Sequence, residues 1–221
     1  MNRLFFGAVL AVFSQSAAHA DESRVGPYLG VGVGATQIDG HVIEFEDGDP
    51  SDYTADFGDD GIAYSVTAGY NFWESGNIVA GLEGSFIGDQ AKSDVFFDYE
   101  GLPDEDYPIQ LSTKFQTSAR LRLGVAKGAW LLYATGGVAY GQFEYRLTDS
   151  PDVEVDKTKQ LGWTAGAGLE KSLNERWSVR LDYAHADYGS DTFAAPIYGS
   201  GFREKSSIET DNLTIGVSLS L

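Results

Sequence analysis

The sequence predicts an all-β fold: an eight-stranded antiparallel up-and-down transmembrane β-barrel with short turns at one end and four long connections at the other. Three observations carry this. The last eleven residues alternate between small or polar Asn212, Thr214, Gly216, Ser218, Ser220 and apolar Leu213, Ile215, Val217, Leu219, Leu221. Such a period of two makes a strand with one oily face, and a bare strand of this kind is safe only where it closes against another. Second, seven further strand-like stretches precede it, and the connections between them alternate strictly, short after long. Third, the face opposite the oily one is largely Gly, Ser and Thr, which suits a narrow, filled lumen rather than a solvated surface.

The elements follow in order. The first strand is read at Pro27–Ile38, with Gly30, Gly32 and Gly34 on one face, and the second at Ile62–Phe72, where Tyr64, Val66, Ala68, Tyr70 and Phe72 oppose Ser65, Thr67, Gly69 and Asn71. Ile78–Gly88 is the third; Leu111–Val125 is the fourth, with Phe115, Ala119, Leu121, Leu123 and Val125 on its oily face. Trp130–Tyr145 is the fifth, and both of its faces carry apolar residues. Gln160–Leu173, Trp177–Tyr188 and Ser207–Leu221 complete the set. The short connections, Trp73–Asn77, Ala126–Ala129 and Asn174-Glu175-Arg176, hold the turn formers Gly and Asn. The long ones are expected as loops at Asp39–Gly61, Asp89–Gln110, Arg146–Lys159 and Gly189–Ser206, so the hairpin unit recurs about every fifty residues.

The first twenty residues read as an export signal: Asn2 and Arg3, an apolar Leu4–Phe13, then Ala18-His19-Ala20 before Asp21. Residues 21–221 form the mature barrel domain, with both of its ends expected on the periplasmic, short-turn side. Cysteine is absent, which excludes disulfides and thiolate chemistry. The formal charge of −18 argues against nucleic-acid partners. Nothing in the pattern calls for a cofactor.

Aromatic residues at strand ends form the expected interfacial belt: Tyr28, Phe72, Trp73, Trp130 and Trp177 near the short turns, Trp163 and Tyr183 toward the other rim. Glu83, Arg120, Arg122, Glu170, Arg180 and Asp182 fall on inner faces, three acids against three bases. Unpaired charges there would cost several kcal/mol, so mutual pairing is expected, as a plug that fixes register or as an ion gate. The first long connection holds nine acids and no Lys or Arg. Solvation explains such a run; the second reading is a weak divalent-cation site at Glu44, Glu46, Asp47 and Asp49. The mature histidines are His41 and His185, and neither has the sequence neighbours of a hydrolytic dyad, so catalysis has no support.

The stretch Leu161–Gly189, LGWTAGAGLEKSLNERWSVRLDYAHADYG, resembles the G-W-x-x-G-x-G-x-E…W-x-x-x-x-x-Y-x-Y-x-D-x-G segment of the small outer-membrane β-barrels of Gram-negative bacteria, related to the OmpA transmembrane domain. Pro27-Tyr28-Leu29-Gly30 and Trp130–Gly141 add matches, and Thr214, Gly216, Leu219 and Leu221 are similar to the barrel-assembly signal. Leu221 stands where that signal has a terminal aromatic, and Ala184-His185 departs from the Tyr-x-Tyr pattern. The resemblance implies an outer-membrane location, with lipid, lipopolysaccharide and the assembly machinery as partners. It implies a structural or surface-interaction role in the envelope, with a narrow diffusion channel and a lipid A-modifying enzyme as alternatives.

Overall fold

The computed structural model describes residues 23–89, 91–99, 102–149, 152–194 and 201–221; the expected export signal, residues 1–20, lies outside the described residues. Among the described residues nine strands follow one another: β1 (Gly26–Glu46), β2 (Asp49–Ser75), β3 (Ile78–Asp89), β4 (Lys92–Tyr99), β5 (Leu102–Lys127), β6 (Trp130–Asp149), β7 (Asp152–Ser172), β8 (Trp177–Ala194) and β9 (Phe202–Ser220). Each pairs antiparallel with its neighbours, and β1 pairs with both β9 and β2, so the sheet closes on itself. β4 adds no new stave. It continues β3 past residue 90 and pairs with β5 as β3 does, so the barrel has eight staves.

The closing seam runs from Tyr28↔Ser220 to Glu46↔Phe202, and Leu221 N donates to Pro27 O at 3.0 Å. Closure leaves no free strand edge, the condition for strands to cross a bilayer. Leu29, Val31 and Val33 on β1, Leu121 and Leu123 on β5 and Ile215 on β9 stand out from the barrel, each about half exposed. The buried residues include many polar ones: Thr67, Glu83, Gln116, Arg122, Thr164 and Thr214. That is a soluble protein turned inside out. The two apolar faces of β6 also separate: Leu131, Tyr133, Ala139 and Phe143 are buried inside, while Leu132 and Val138 face out.

Two expectations change. Most of each expected long loop is strand. β1 and β2 stay paired up to Glu46↔Asp49, around an Asp47-Gly48 turn with φ of 52° and 96°. Positive φ at both turn residues suits the twist of a tight hairpin. The other three connections are tall hairpins as well, paired out to Tyr99↔Leu102, Asp149↔Asp152 and Ala194↔Arg203. Above the apolar band no oily face is needed, so alternation fades from the sequence while the backbone ladder continues. The second change concerns Tyr28, which is not a belt residue. Leu29 and Val31 face out, so strand alternation turns Tyr28 inward, where it is 5 % exposed. Phe72 and Trp73 do face out together, because the ladder skips a residue between Asn71 and Trp73. Trp163 and Trp177 are also exposed on the outer face, and Lys171 Nζ lies 5.1 Å from the centre of the Trp130 ring.

Candidate functional site: the filled lumen

The lumen is filled in three layers. Just above a small apolar cluster of Val79, Ala126, Leu131 and Tyr133 at the short-turn end is the charged layer, in which all six of the ionic residues named from sequence meet. Glu83 on β3 accepts from Arg120 Nη2 at 2.5 Å, Arg180 Nη2 at 2.8 Å and the Tyr28 hydroxyl at 2.9 Å. Arg180 also reaches Asp182 through Nε at 2.6 Å and Nη2 at 2.8 Å. Arg122 donates to Glu170 at 2.6 Å and lies 3.8 Å from the centre of the Tyr133 ring, whose hydroxyl bonds Asp182. The side chains of Glu83, Arg120, Arg122 and Arg180 are each at most 6 % exposed, so these bonds act with little screening.

Two rows of three build this layer. Tyr28 on β1 is paired across the ladder with Gly69 on β2, and Gly69 with Glu83 on β3. Tyr133 on β6 is paired with Gly168 on β7, and Gly168 with Asp182 on β8. Each tyrosine ring lies over the glycine and its hydroxyl reaches the acid beyond. A methyl group on Gly69 would sit 2.2 Å from Tyr28 Cζ, and one on Gly168 would sit 2.3 Å from Tyr133 Cζ, so only glycine leaves room. One stave, β5, separates the rows on one side, and β9 separates them on the other. The rows therefore face each other across the lumen, and Arg180 ties Glu83 of one to Asp182 of the other.

Above the charges is a polar collar. Gln116 Oε1 accepts from Thr210 Oγ1 at 2.8 Å and from Tyr188 OH and Asn212 Nδ2 at 3.2 Å. Its Nε2 donates to Asp89 at 3.1 Å. Higher still is an apolar plug around Ile38, Val42, Phe57, Leu111, Phe143 and Ile208, with Phe143 edge-on to Tyr188 at 5.0 Å. Sequence reading missed the collar and the plug. Their residues sit on different staves, and only the register brings them together. On the short-turn side a cavity of about 460 Å³ has Arg24, Asn71, Glu74, Tyr28 and Glu170 in its lining. Arg24 reaches across it to Gly128 O at 2.7 Å, and its backbone N–H donates to Glu74 at 2.7 Å.

The acids named as a cation site do not converge. Glu44 turns inward, 7 % exposed, and accepts from Ser51 Oγ at 3.0 Å, while Glu46, Asp47 and Asp49 stand exposed at the hairpin tip. A register shift between Ile43 and Phe45 separates them. Among the described residues no three acids or histidines gather as metal ligands. Burial raises the Glu44 carboxyl above the usual 4.5, with Glu46 adding to the rise and the Ser51 bond opposing it. The histidines each meet an acid across the ladder: His41 Nδ1 lies 2.6 Å from Asp56 and His185 Nδ1 3.1 Å from Asp211. Tyr183 also bonds Asp211, at 2.5 Å. Thr214 and Gly216 face the lumen, Leu219 ends the lipid-side row of β9, and Leu221 follows the strand, exposed.

A closed eight-stave barrel with an apolar exterior and a charged interior defines an integral outer-membrane protein. The family model of the outer membrane protein beta-barrel domain matches residues 5–220, and the chain belongs to that family. It is 26 % identical over 215 residues to the 31 kDa outer-membrane immunogenic protein of Brucella melitensis, covering 86 % of this chain and 88 % of that one. It is 30 % identical over 151 residues to the 25 kDa outer-membrane immunogenic protein of Brucella abortus, covering 68 % and 61 % of the two chains. In fold it is similar to the outer membrane protein OprG of Pseudomonas aeruginosa, with a TM-score of 0.58 and 14 % identity over 89 % of this chain and 97 % of that one.

Proposed function

We propose that this chain is a sealed structural barrel that supports the integrity of the outer membrane and displays its tall hairpins to the outside. In this reading the short turns and the mature ends face the periplasm, and the terminal strand, with Thr214, Gly216, Leu219 and Leu221, is what the assembly machinery reads. The observation that supports it is the lumen itself: ion pairs, an amide collar and an apolar plug succeed one another along the axis. A diffusion channel needs a continuous wet path, and an apolar layer of this kind opposes one by dewetting. The two His–Asp pairs lie on the outer wall of separate staves and are open to solvent, whereas a lipid-modifying enzyme would use an enclosed pocket.

The test is planar-bilayer recording of the refolded chain. A sealed barrel gives no reproducible conductance steps at ±100 mV, and stable unitary steps would refute the reading. A deletion strain should leak periplasmic enzymes and become detergent-sensitive while its lipid A keeps its mass. A change in that mass would point to an enzyme instead.

A further inference from the structure

The rim just above the apolar band is electrically polarised. Its outward apolar rows end at Phe115 on β5 and Tyr140 on β6; on β7 the row breaks off at Leu161, with Val155 standing out again above the lysines. Within six positions beyond Phe115, Tyr140 and Leu161, Lys114, Arg146, Lys157 and Lys159 face outward on these three adjacent staves. Among the described outward residues of this stretch the one acid is Glu144, which holds Lys114 at 3.2 Å and Lys157 at 3.6 Å. Lys114 and Lys157 remain 42 % and 58 % exposed, and Lys159 and Arg146 are exposed as well. Four cations against one acid leave an excess of three positive charges in a chain whose formal charge is −18.

The opposite arc has the other sign. Over the same height on β8, β9, β1 and β2 the described outward residues include Asp187, Glu209, Asp211, Asp39, Asp60 and Asp56, and no Lys or Arg. Arg203 and Lys205 stand further up β9, eight or more positions beyond Leu213. The cations are thus not spread by chance over a mixed surface. They are gathered where the wall leaves the apolar band. A tilted strand climbs about 2.5 Å per residue, so they span roughly the first 15 Å above the hydrocarbon edge, which is headgroup depth.

We propose that the β5–β7 arc is a binding face for the phosphate groups of the phosphorylated lipid that surrounds the barrel in the outer leaflet. This rests on the orientation given under Proposed function. Lys114 and Lys159, one and two positions above the band, meet the phosphates nearest the acyl chains; Lys157 and Arg146 meet those further out. Glu144 holds two lysines pointed along the wall, so the face is ordered before lipid arrives. The acidic arc repels the same headgroups, so the lipid shell is asymmetric around the barrel.

The experiment uses the full mature chain refolded in detergent micelles. Native mass spectrometry counts molecules of bis-phosphorylated lipid A retained, with dephosphorylated lipid A as the comparison. The phosphorylated form is expected to be retained and the dephosphorylated form lost. A triple variant, Lys114→Gln with Lys157→Gln and Lys159→Gln, should weaken retention at least tenfold; Arg203→Gln with Lys205→Gln should leave it unchanged. Equal retention of both lipids, or a triple variant that binds as the parent does, overturns the proposal. So does a dimer that dissociates in the triple variant, which would give the face to a second copy. Heat-dependent gel mobility is read in parallel. A chain with no mobility shift overturns the barrel reading and the arc with it; a shifted chain that does not discriminate overturns the arc alone.

Discussion

Glu83→Gln isolates what the charged layer contributes. The Glu83 side chain has no solvent exposure and accepts from Arg120, Arg180 and Tyr28. Gln keeps the shape and one acceptor oxygen but removes the charge. Arg180 retains Asp182, whereas Glu83 is the carboxylate that Arg120 pairs with, and Arg120 is 6 % exposed. Stranding a buried guanidinium costs about 3–5 kcal/mol. The loss should appear as a lower urea midpoint for the barrel refolded in micelles, followed by fluorescence of its four tryptophans. A second variant sharpens the measurement. Arg120→Met in the same chain removes the stranded charge and restores two acids against two bases, so the double variant should recover most of the loss. A Glu83→Gln barrel within about 1 kcal/mol of the parent would refute the reasoning. So would a double variant that is merely the sum of the two singles.

The remaining predictions test other layers. Arg180→Ala alone should leave bilayer conductance at background, because the plug around Phe143 stays closed; Arg180→Ala with Phe143→Ala should leak, and a leak from the first variant would place the seal in the charges alone. Gly69→Ala should destabilise by about 1–3 kcal/mol through collision with the Tyr28 ring, whereas a methyl at Gly136 meets nothing closer than 3.9 Å and Gly136→Ala should be silent in the same urea titration. Glu44 has a raised carboxyl pKa, so the folded hairpin binds its proton more tightly than the unfolded chain and loses stability as pH climbs above 4.5 toward the raised value. Glu44→Gln should therefore slow hydrogen exchange in the β1–β2 hairpin at pH 7, with the difference vanishing below pH 4.5; a difference that grows on acidification would reverse the sign. Leu221→Phe, at an end that is 69 % exposed, should insert into vesicles at least as fast as the parent, and slower insertion would count against an aromatic-type terminal signal.

The lipid-facing half of the molecule was legible because lipid imposes a simple rule: alternate residues must be apolar and no edge may stay open. All eight transmembrane stretches, the three short turns and the six inward charges follow from that rule. It lapses above the band. The Asp47-Gly48 pair was a hairpin signal in its own right, yet it sat within a run of acids that reads as solvated loop. Aromatics at strand ends usually face lipid, which argues for Tyr28 on the belt; the parity of Leu29 and Val31 requires the reverse. Gln116, the histidine–aspartate pairs and the plug have no local signature. They exist only once the register is known, since one residue of slip would send each side chain to the other face.

The two Tyr–Gly–acid rows explain why a membrane barrel keeps charges inside at all. Replacing a buried ion pair by apolar groups is often neutral or stabilising, so stability alone does not require them. Register does. A ladder between neighbouring staves fixes only that pair, and small errors could accumulate around a ring of eight. Tyr28 bonds a residue two staves away, across a glycine that admits its ring and no larger side chain. Tyr133 does the same on the opposite wall, and Arg180 joins the two rows across the lumen. Shift β2 by one residue and Gly69 leaves its place under Tyr28; shift β8 and Asp182 leaves both Tyr133 and Arg180. Each bond across the lumen thus checks a register that the backbone ladder cannot check for itself. The layer's glycines and charges are then one device, and Glu83, Gly69 and Arg180 should fail together in assembly rather than singly in function.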